Sequence, residues 1–316
     1  MPEVITLGET MVLMNPTEAG PLRYVDRFKK QIAGAETNVA IGINKLGHST
    51  GWISRLGSDE FGQYVLSVIK GEGVDTSRVI MDVDTPTGVF FKERRILGLS
   101  QVYYYRRQSA ASYMLPEDLD EEYIASARYL HLTGITPALS SSCLATVQQA
   151  IEIAHQNNVL VSFDPNIRFK LWDRRKAKEI LLSLIREVDI LLPGVKEADM
   201  LLGKMDEPED YAQKFIEMGP EIVALKLGKT GSYIADKEKG RIVEGFSSTE
   251  VDAAGAGDAF AAGFLSGLLE GKDIFEAAMI ANAAGAFAVT LPGDYEAFPT
   301  SQDLNAFLKG NSDIFR

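Results

Sequence analysis

Short runs of β-branched and aliphatic residues alternate along this chain with longer segments whose apolar positions recur at helical spacing. The pattern predicts strands over 4–7, 129–133, 159–164, 189–192 and 222–227. It predicts helices over 35–46, from the serines at 140–142 to about 156, and over 174–186, 196–202, 211–218, 258–269 and 274–289. Strand followed by helix, repeated, implies an α/β domain with a mainly parallel central sheet covered on both faces. Such sheets bind ligands beyond the carboxyl ends of their strands.

Two stretches, 21–28 and 89–105, are strand-like with no intervening helix. In the second, Val89, Phe91, Glu93 and Arg95 alternate with Phe90, Lys92 and Arg94, too polar for a buried parallel core. A small antiparallel sheet is expected there, built from insertions at about 12–33 and 87–113 and placed as a lid on a single domain spanning 1–316. Neither an internal repeat nor an interdomain linker is evident.

Of the 316 residues, 46% are hydrophobic and 24% charged, an ordinary globular balance. The formal charge of −12 argues against nucleic acid or an anionic membrane as partner. Cys143 is the one cysteine, which suits a reducing cytoplasm, and His48, His131 and His155 have no zinc-site spacing. The opening MPEVITLGET has no basic segment leading into an apolar one, so no signal peptide is expected. The apolar stretch 277–291 is too short to span a membrane and reads as a buried helix.

The segment Val251-Asp252-Ala253-Ala254-Gly255-Ala256-Gly257-Asp258 carries the strongest chemistry. Two glycines let the backbone turn tightly and aim N–H groups at an anion, and a helix beginning near Asp258 adds its positive end. The N–H groups of Gly255, Ala256 and Gly257 can hold phosphoryl charge, and Asp258 can accept the proton of an attacking hydroxyl. An ordinary glycine turn is the alternative. Gly228 and Gly231, with Lys226 and Lys229 beside them, permit close approach to a nucleotide. Asn282 stands alone in an apolar helix and needs a partner, either a ligand or a neighbouring loop. No Gly-x4-Gly-Lys-Ser/Thr run occurs, and Gly8-Glu9-Thr10 after the first strand is not a dinucleotide fingerprint.

Several ordered motifs together resemble the ribokinase-like carbohydrate kinases over essentially the whole chain. They are Ala33-Gly34-Ala35-Glu36-Thr37-Asn38-Val39-Ala40, Gly57-Ser58-Asp59-Glu60-Phe61-Gly62, Leu225 to Gly231, and the segment ending in Asp258, in which Ala253 replaces the usual Thr. The resemblance implies a ribokinase-like three-layer fold with a β lid and transfer of phosphate from ATP to a sugar hydroxyl, with Asp258 as base. It implies sugar contact at Gly34 and Asn38, and ATP contact at Gly194, Lys196, Lys226, Gly228, Gly231, Ser232 and Asn282. Magnesium is implied near Glu197, where the family's Asn-x-x-Glu has Gly194 in place of Asn, and a monovalent cation near Asp252.

Substrate clues are cationic. Tyr103-Tyr104-Tyr105-Arg106-Arg107 follows Lys92, Arg94 and Arg95, and Arg168 follows a strand end in Asp164-Pro165-Asn166-Ile167-Arg168. Arginine grips a carboxylate through two parallel donors, and tyrosine adds a hydroxyl, so a sugar acid is expected. Charges that block edge-to-edge pairing of strands are the alternative. Tyr-Tyr-Arg, Asp-Pro-Asn-x-Arg and Leu291-Pro292-Gly293-Asp294 narrow the resemblance to kinases of 2-keto-3-deoxygluconate. That implies substrate contacts at Gly34, Tyr104, Arg106, Arg168 and Asp294, with Phe90 where relatives often carry Tyr. Alternatives are a fructokinase- or ribokinase-like enzyme for a neutral sugar, a kinase of another keto-deoxy acid, and a non-catalytic sugar-acid sensor. Apolar faces and open edges in the lid predict a homodimer or higher oligomer paired through it.

Overall fold

A computed structural model describes residues 1–95 and 100–310. Its first half contains strands β1 (Val4–Leu7), β2 (Met11–Pro16), β3 (Phe28–Ala33), β4 (Thr50–Gly57), β5 (Asp75–Asp82), β6 (Val89–Arg94), β7 (Ser100–Tyr105) and β8 (Tyr129–Thr133). Helices α1 (Ala35–Lys45), α2 (Glu60–Gly71), α3 (Glu121–Ala125) and α4 (Ser141–Gln156) are interspersed among and after them. The second half adds β9 (Leu160–Asp164), β10 (Ile190–Leu191), β11 (Ile222–Lys226), β12 (Gly231–Ala235) and β13 (Gly240–Glu244). Its helices are α5 (Arg174–Ile185), α6 (Val195–Leu202), α7 (Pro208–Met218), α8 (Ala256–Leu269), α9 (Ile274–Ala288) and α10 (Ser301–Leu308).

Nine strands form the main sheet in the order β13-β12-β11-β10-β9-β8-β1-β4-β5. Strands β11 through β5 of this order run parallel, and β12 and β13 add an antiparallel hairpin at one edge. Strand periodicity sends Ile5, Leu7, Val161 and Phe163 to one face, against Val147, Leu181 and Phe215 of α4, α5 and α7. Val4 and Ala224 face the other way, against Val39, Phe264 and Ala281 of α1, α8 and α9. The two buried layers are those of a three-layer α/β domain.

The second sheet has the order β3-β2-β6-β7. Its outer pairs are antiparallel, but β2 and β6 run parallel, Val12 opposite Val89 and Met14 opposite Phe91. That differs from the expected fully antiparallel sheet. Strands β2 and β6 each leave the carboxyl end of a parallel strand, β1 and β5, so they set out in the same direction. The strand expected over 21–28 is also displaced: Leu22–Tyr24 is a 3-10 turn and β3 starts at Phe28.

Candidate active site

The site gathers at the carboxyl ends of β1, β9 and β11 beneath the N-terminus of α8. That helix begins at Ala256, two residues earlier than its apolar spacing suggests, because Gly255 caps it in a left-handed conformation with φ of 74°. A Cβ on Gly255 would lie 1.8 Å from the Asp294 carbonyl oxygen, so only glycine fits. First-turn N–H groups lack intrahelical partners, which leaves those of Gly257 and Asp258 for a ligand.

Asp258 lies in that first turn with 9% of its surface exposed, and its Oδ2 accepts a hydrogen bond from Asn38 Nδ2 at 2.7 Å. Burial pushes its carboxyl up to about 8; Asp164 and Asp294 push the same way, while Asn38 and Arg168 oppose. Burial raises Asp294 to about 6, with Lys92 opposing and Glu296 and Asp252 adding. Carboxyls shifted this far by burial and by one another cluster at sites that handle protons.

Lys226, the last residue of β11, pairs with Asp164 at the end of β9, Nζ to Oδ2 2.6 Å. A Cβ on Gly257 would lie 3.5 Å from this ammonium. Behind the Gly255–Gly257 turn opens a cavity of about 260 Å³ lined by Lys226, Gly228, Gly231, Ala253, Asn282 and Val289, among others. The Asn282 amide donates to Val243 O at 3.0 Å and Glu244 O at 3.2 Å, so a neighbouring strand, rather than a ligand alone, satisfies it. Ser232 is fully buried in β12, opposite Lys226, and does not line this cavity; its hydroxyl has no hydrogen-bond partner among the described residues. Gly194 and Lys196 line a second cavity of about 570 Å³, shared with Glu197, Phe169, Lys226 and Gly228.

Glu197 is not a solvated helix residue. Its carboxylate accepts N–H groups from Gly194 at 2.8 Å and Ile167 at 2.9 Å, capping α6, and burial raises its pKa. Asp252 pairs with Lys92 Nζ at 2.5 Å and accepts the Ala254 N–H at 3.2 Å. An ammonium from β6 therefore stands at the carboxylate to which the resemblance assigned a monovalent cation. Among the described residues no three His, Cys, Asp or Glu side chains group as a metal site.

The residues that the resemblance assigned to the sugar come from the start of α1, the second sheet and its flank, and the segments after β9 and α9. Gly34 precedes α1 where a Cβ would meet Thr10 Oγ1 at 2.5 Å and Glu9 O at 2.7 Å. The rings of Phe90 and Tyr104 lie 5.5 Å apart on paired positions of β6 and β7, and the Arg106 guanidinium is 5.5 Å from the Tyr104 ring. Arg106 itself is buried and ion-paired with Glu9, whose second oxygen takes the Ser109 hydroxyl. The Arg168 side chain is exposed and makes no hydrogen bond or ion pair among the described residues, while its carbonyl accepts the Leu171 N–H at 2.9 Å. The sequence did not single out Glu9, Lys92 or Asp164 as site residues. Their signal was position: Glu9 and Asp164 stand at strand ends, where parallel sheets build sites.

Comparison with known proteins adds a lineage to this geometry. The model of the pfkB family carbohydrate kinases matches residues 1–301. The chain is 38% identical over 315 residues to the 2-dehydro-3-deoxygluconokinase of Bacillus subtilis, covering 99% of this chain and 97% of that one. It is 37% identical to the enzyme of the same name from Thermoproteus tenax, covering 98% and 95%, and 30% identical to fructokinase-1 of Zea mays, covering 95% and 96%. Among solved structures, a PfkB protein from Polaromonas superposes with TM-score 0.89 at 38% identity, covering 97% and 100%. A putative ribokinase II from E. coli in complex with ATP and Mg2+ superposes with TM-score 0.91 at 26% identity, covering 98% and 100%. No helix among the described residues is long and apolar enough to cross a membrane.

Proposed function

The chain belongs to the pfkB family of carbohydrate kinases, and from that premise we propose that it phosphorylates 2-keto-3-deoxygluconate on its terminal hydroxyl with ATP. The observation that carries the reading is the buried Asp258 carboxylate in the first turn of α8, beside the glycine turn that walls the cavity and within reach of Asn38, Asp294 and Arg168. The two relatives named for this acid, at 38% and 37% identity, support the choice of substrate.

Chemically, the sugar hydroxyl oxygen attacks the γ-phosphorus of ATP. An O–P bond forms, the bond from the γ-phosphorus to the β,γ-bridging oxygen breaks, and ADP leaves. The hydroxyl proton passes to the Asp258 carboxylate, which must be ionised to receive it. The Gly257 and Asp258 N–H groups face the charge on the transferring phosphoryl. Gly194, Lys196, Gly228, Gly231 and Asn282 border the cavities that would take the nucleotide, and Ser232 lies buried outside both linings. Magnesium bound with ATP would neutralise phosphate charge, and Glu197, whose oxygens each accept one backbone N–H and keep further lone pairs, would be the carboxylate that orients it.

Asn38, Gly34 and Asp294 would border the sugar, and Arg168 would take the carboxylate end, with Tyr104 beside it. The β2–β3–β6–β7 sheet would close over them as a lid, tied to the body by Lys92–Asp252 and Gln31–Glu296. Two copies would pair through this sheet, where Tyr103 and Tyr105 of β7 are exposed; light scattering reads the assembly.

One observation favours a neutral sugar instead: Glu9 already occupies Arg106, so of the two arginines assigned to the acid only Arg168 is exposed. Steady-state kinetics of Arg168→Ala decides. The acid reading expects KM for the keto-deoxy acid to rise by about 10² or more. An unchanged KM on the best substrate would move the assignment to a neutral sugar.

A further inference from the structure

We infer that Lys226 is a catalytic residue whose ammonium is a fixed cation on the transferred phosphoryl group, and that Asp164 is the positioning residue that holds it there. The inference deepens the proposed phosphoryl transfer and rests on it. Three placements carry it. First, Lys226 and Gly228 line both cavities, and the first of these also takes in Ala256 and Gly257 of α8, so Lys226 stands in the wall the two share. Second, the ammonium lies beside Gly257 in the first turn of α8, 3.5 Å from where a Cβ would be. Third, its mount is rigid: Asp164 Oδ2 holds the ammonium at 2.6 Å while Oδ1 accepts the Asn166 N–H at 3.1 Å, in a turn where Asn166 takes φ of 37°.

The charges around it are unbalanced in a way that a structural ion pair does not need. Asp164 from β9, Glu197 from α6 and Asp258 from α8 all face Lys226 and outweigh the burial that would otherwise lower its pKa, so it stays charged. His131 of β8, also nearby, is held neutral by burial, its pKa lowered to about 4. A buried lysine paired with one carboxylate would be satisfied; here 17% of the side chain still opens to the cavities. Lysine is a compact point charge suited to a phosphoryl whose charge spreads over three oxygens. Glu197, the carboxylate that the family pattern would offer a metal, already accepts one backbone N–H on each oxygen, whereas the Lys226 ammonium is a cation the chain itself supplies at this point. As the hydroxyl oxygen bonds to the γ-phosphorus and the bridging oxygen departs with ADP, the ammonium stays beside the equatorial oxygens and transfers no proton.

The test uses the full chain and whichever acceptor the wild type phosphorylates, so a wrong sugar leaves it intact. Lys226→Met should lower kcat about 100-fold or more while KM for the acceptor and calorimetric ADP affinity move less than about fivefold. Lys226→Arg should recover at least about a tenth of the wild-type kcat, since it keeps the charge. Asp164→Asn should lower kcat about tenfold or more with the same unchanged KM. If Lys226→Met fails to fold because Asp164 is left unpaired, the double variant Lys226→Met/Asp164→Asn removes both charges and reads the same loss. A kcat within about threefold of wild type in either Met-bearing variant, or an ADP affinity that falls in step with kcat, would overturn the inference. Loss of turnover in Asp258→Asn beside an active Lys226→Met would sink the lysine and spare the kinase reading.

Discussion

Asn38, in the first turn of α1, donates its side-chain N–H to the Asp258 carboxylate at 2.7 Å, joining residues 220 positions apart. Its own Oδ1 is buried without a partner, so the amide is pinned on one side and open on the other. A donor on the charged form holds a carboxyl down against the upward push of burial. Asn38→Ala should therefore raise the acid limb of the kcat/KM–pH profile and cost about tenfold at pH 7, with less loss above pH 9. A loss equal at every pH would place Asn38 on the sugar alone.

Asp258 itself sets the pH dependence. A base is active only when ionised, and burial has raised this carboxyl to about 8. The rate should fall about tenfold per pH unit below that value in kcat/KM, which reports the free enzyme. The stability sign is the reverse of the usual carboxylate case. With its folded pKa raised, Asp258 favours folding while neutral, and that contribution is lost as pH rises from about 4 to about 8. Asp258→Asn should abolish turnover, leave ADP binding within a few-fold, and raise the melting temperature by several degrees at pH 8.5 but little at pH 5. Thermal scans at the two pH values check it; equal shifts would contradict the buried charge.

Glu9 and Arg106 form a pair almost sealed from solvent, with side chains 1% and 8% exposed. Removing one partner strands the other charge. Glu9→Ala should lose about 3–5 kcal/mol of stability in urea titration, and Glu9→Met/Arg106→Met should recover much of it. A loss below about 1 kcal/mol would mean that water reaches the pair.

Gly255→Ala tests the turn. Its left-handed backbone and the Asp294 carbonyl both exclude a Cβ, so the loop must move away from its N–H geometry. A kcat loss of about 10²-fold or more is expected, with a folded circular dichroism spectrum.

Periodicity carried the main architecture. Val4–Leu7 and Tyr129–Thr133 are the strands that their apolar runs predicted, and α4 runs from Ser141 to Gln156 because Ser140 caps it. Strands β4 and β5 were not legible: Thr50–Gly57 is buried on both faces and so lacks alternation, and Asp75–Asp82 is a polar edge. The hairpin β12–β13 hid behind the loop glycines of 228–231. At the site, Asp258 stood out through the glycine turn beside it. The ion pairs Lys226–Asp164, Lys92–Asp252 and Arg106–Glu9 did not, because each joins strands or loops that only the folded sheet brings together.

ADP release with ATP and magnesium, measured across 2-keto-3-deoxygluconate, 2-keto-3-deoxygalactonate, fructose, ribose and adenosine, decides what this site phosphorylates. The site as read predicts kcat/KM for the keto-deoxy acids at least about tenfold above every neutral acceptor, a preference that one carboxylate–arginine contact can supply. A preference for fructose would contradict the sugar-acid assignment and turn Arg168 back into a surface charge, with Asp258 and the glycine turn still in place.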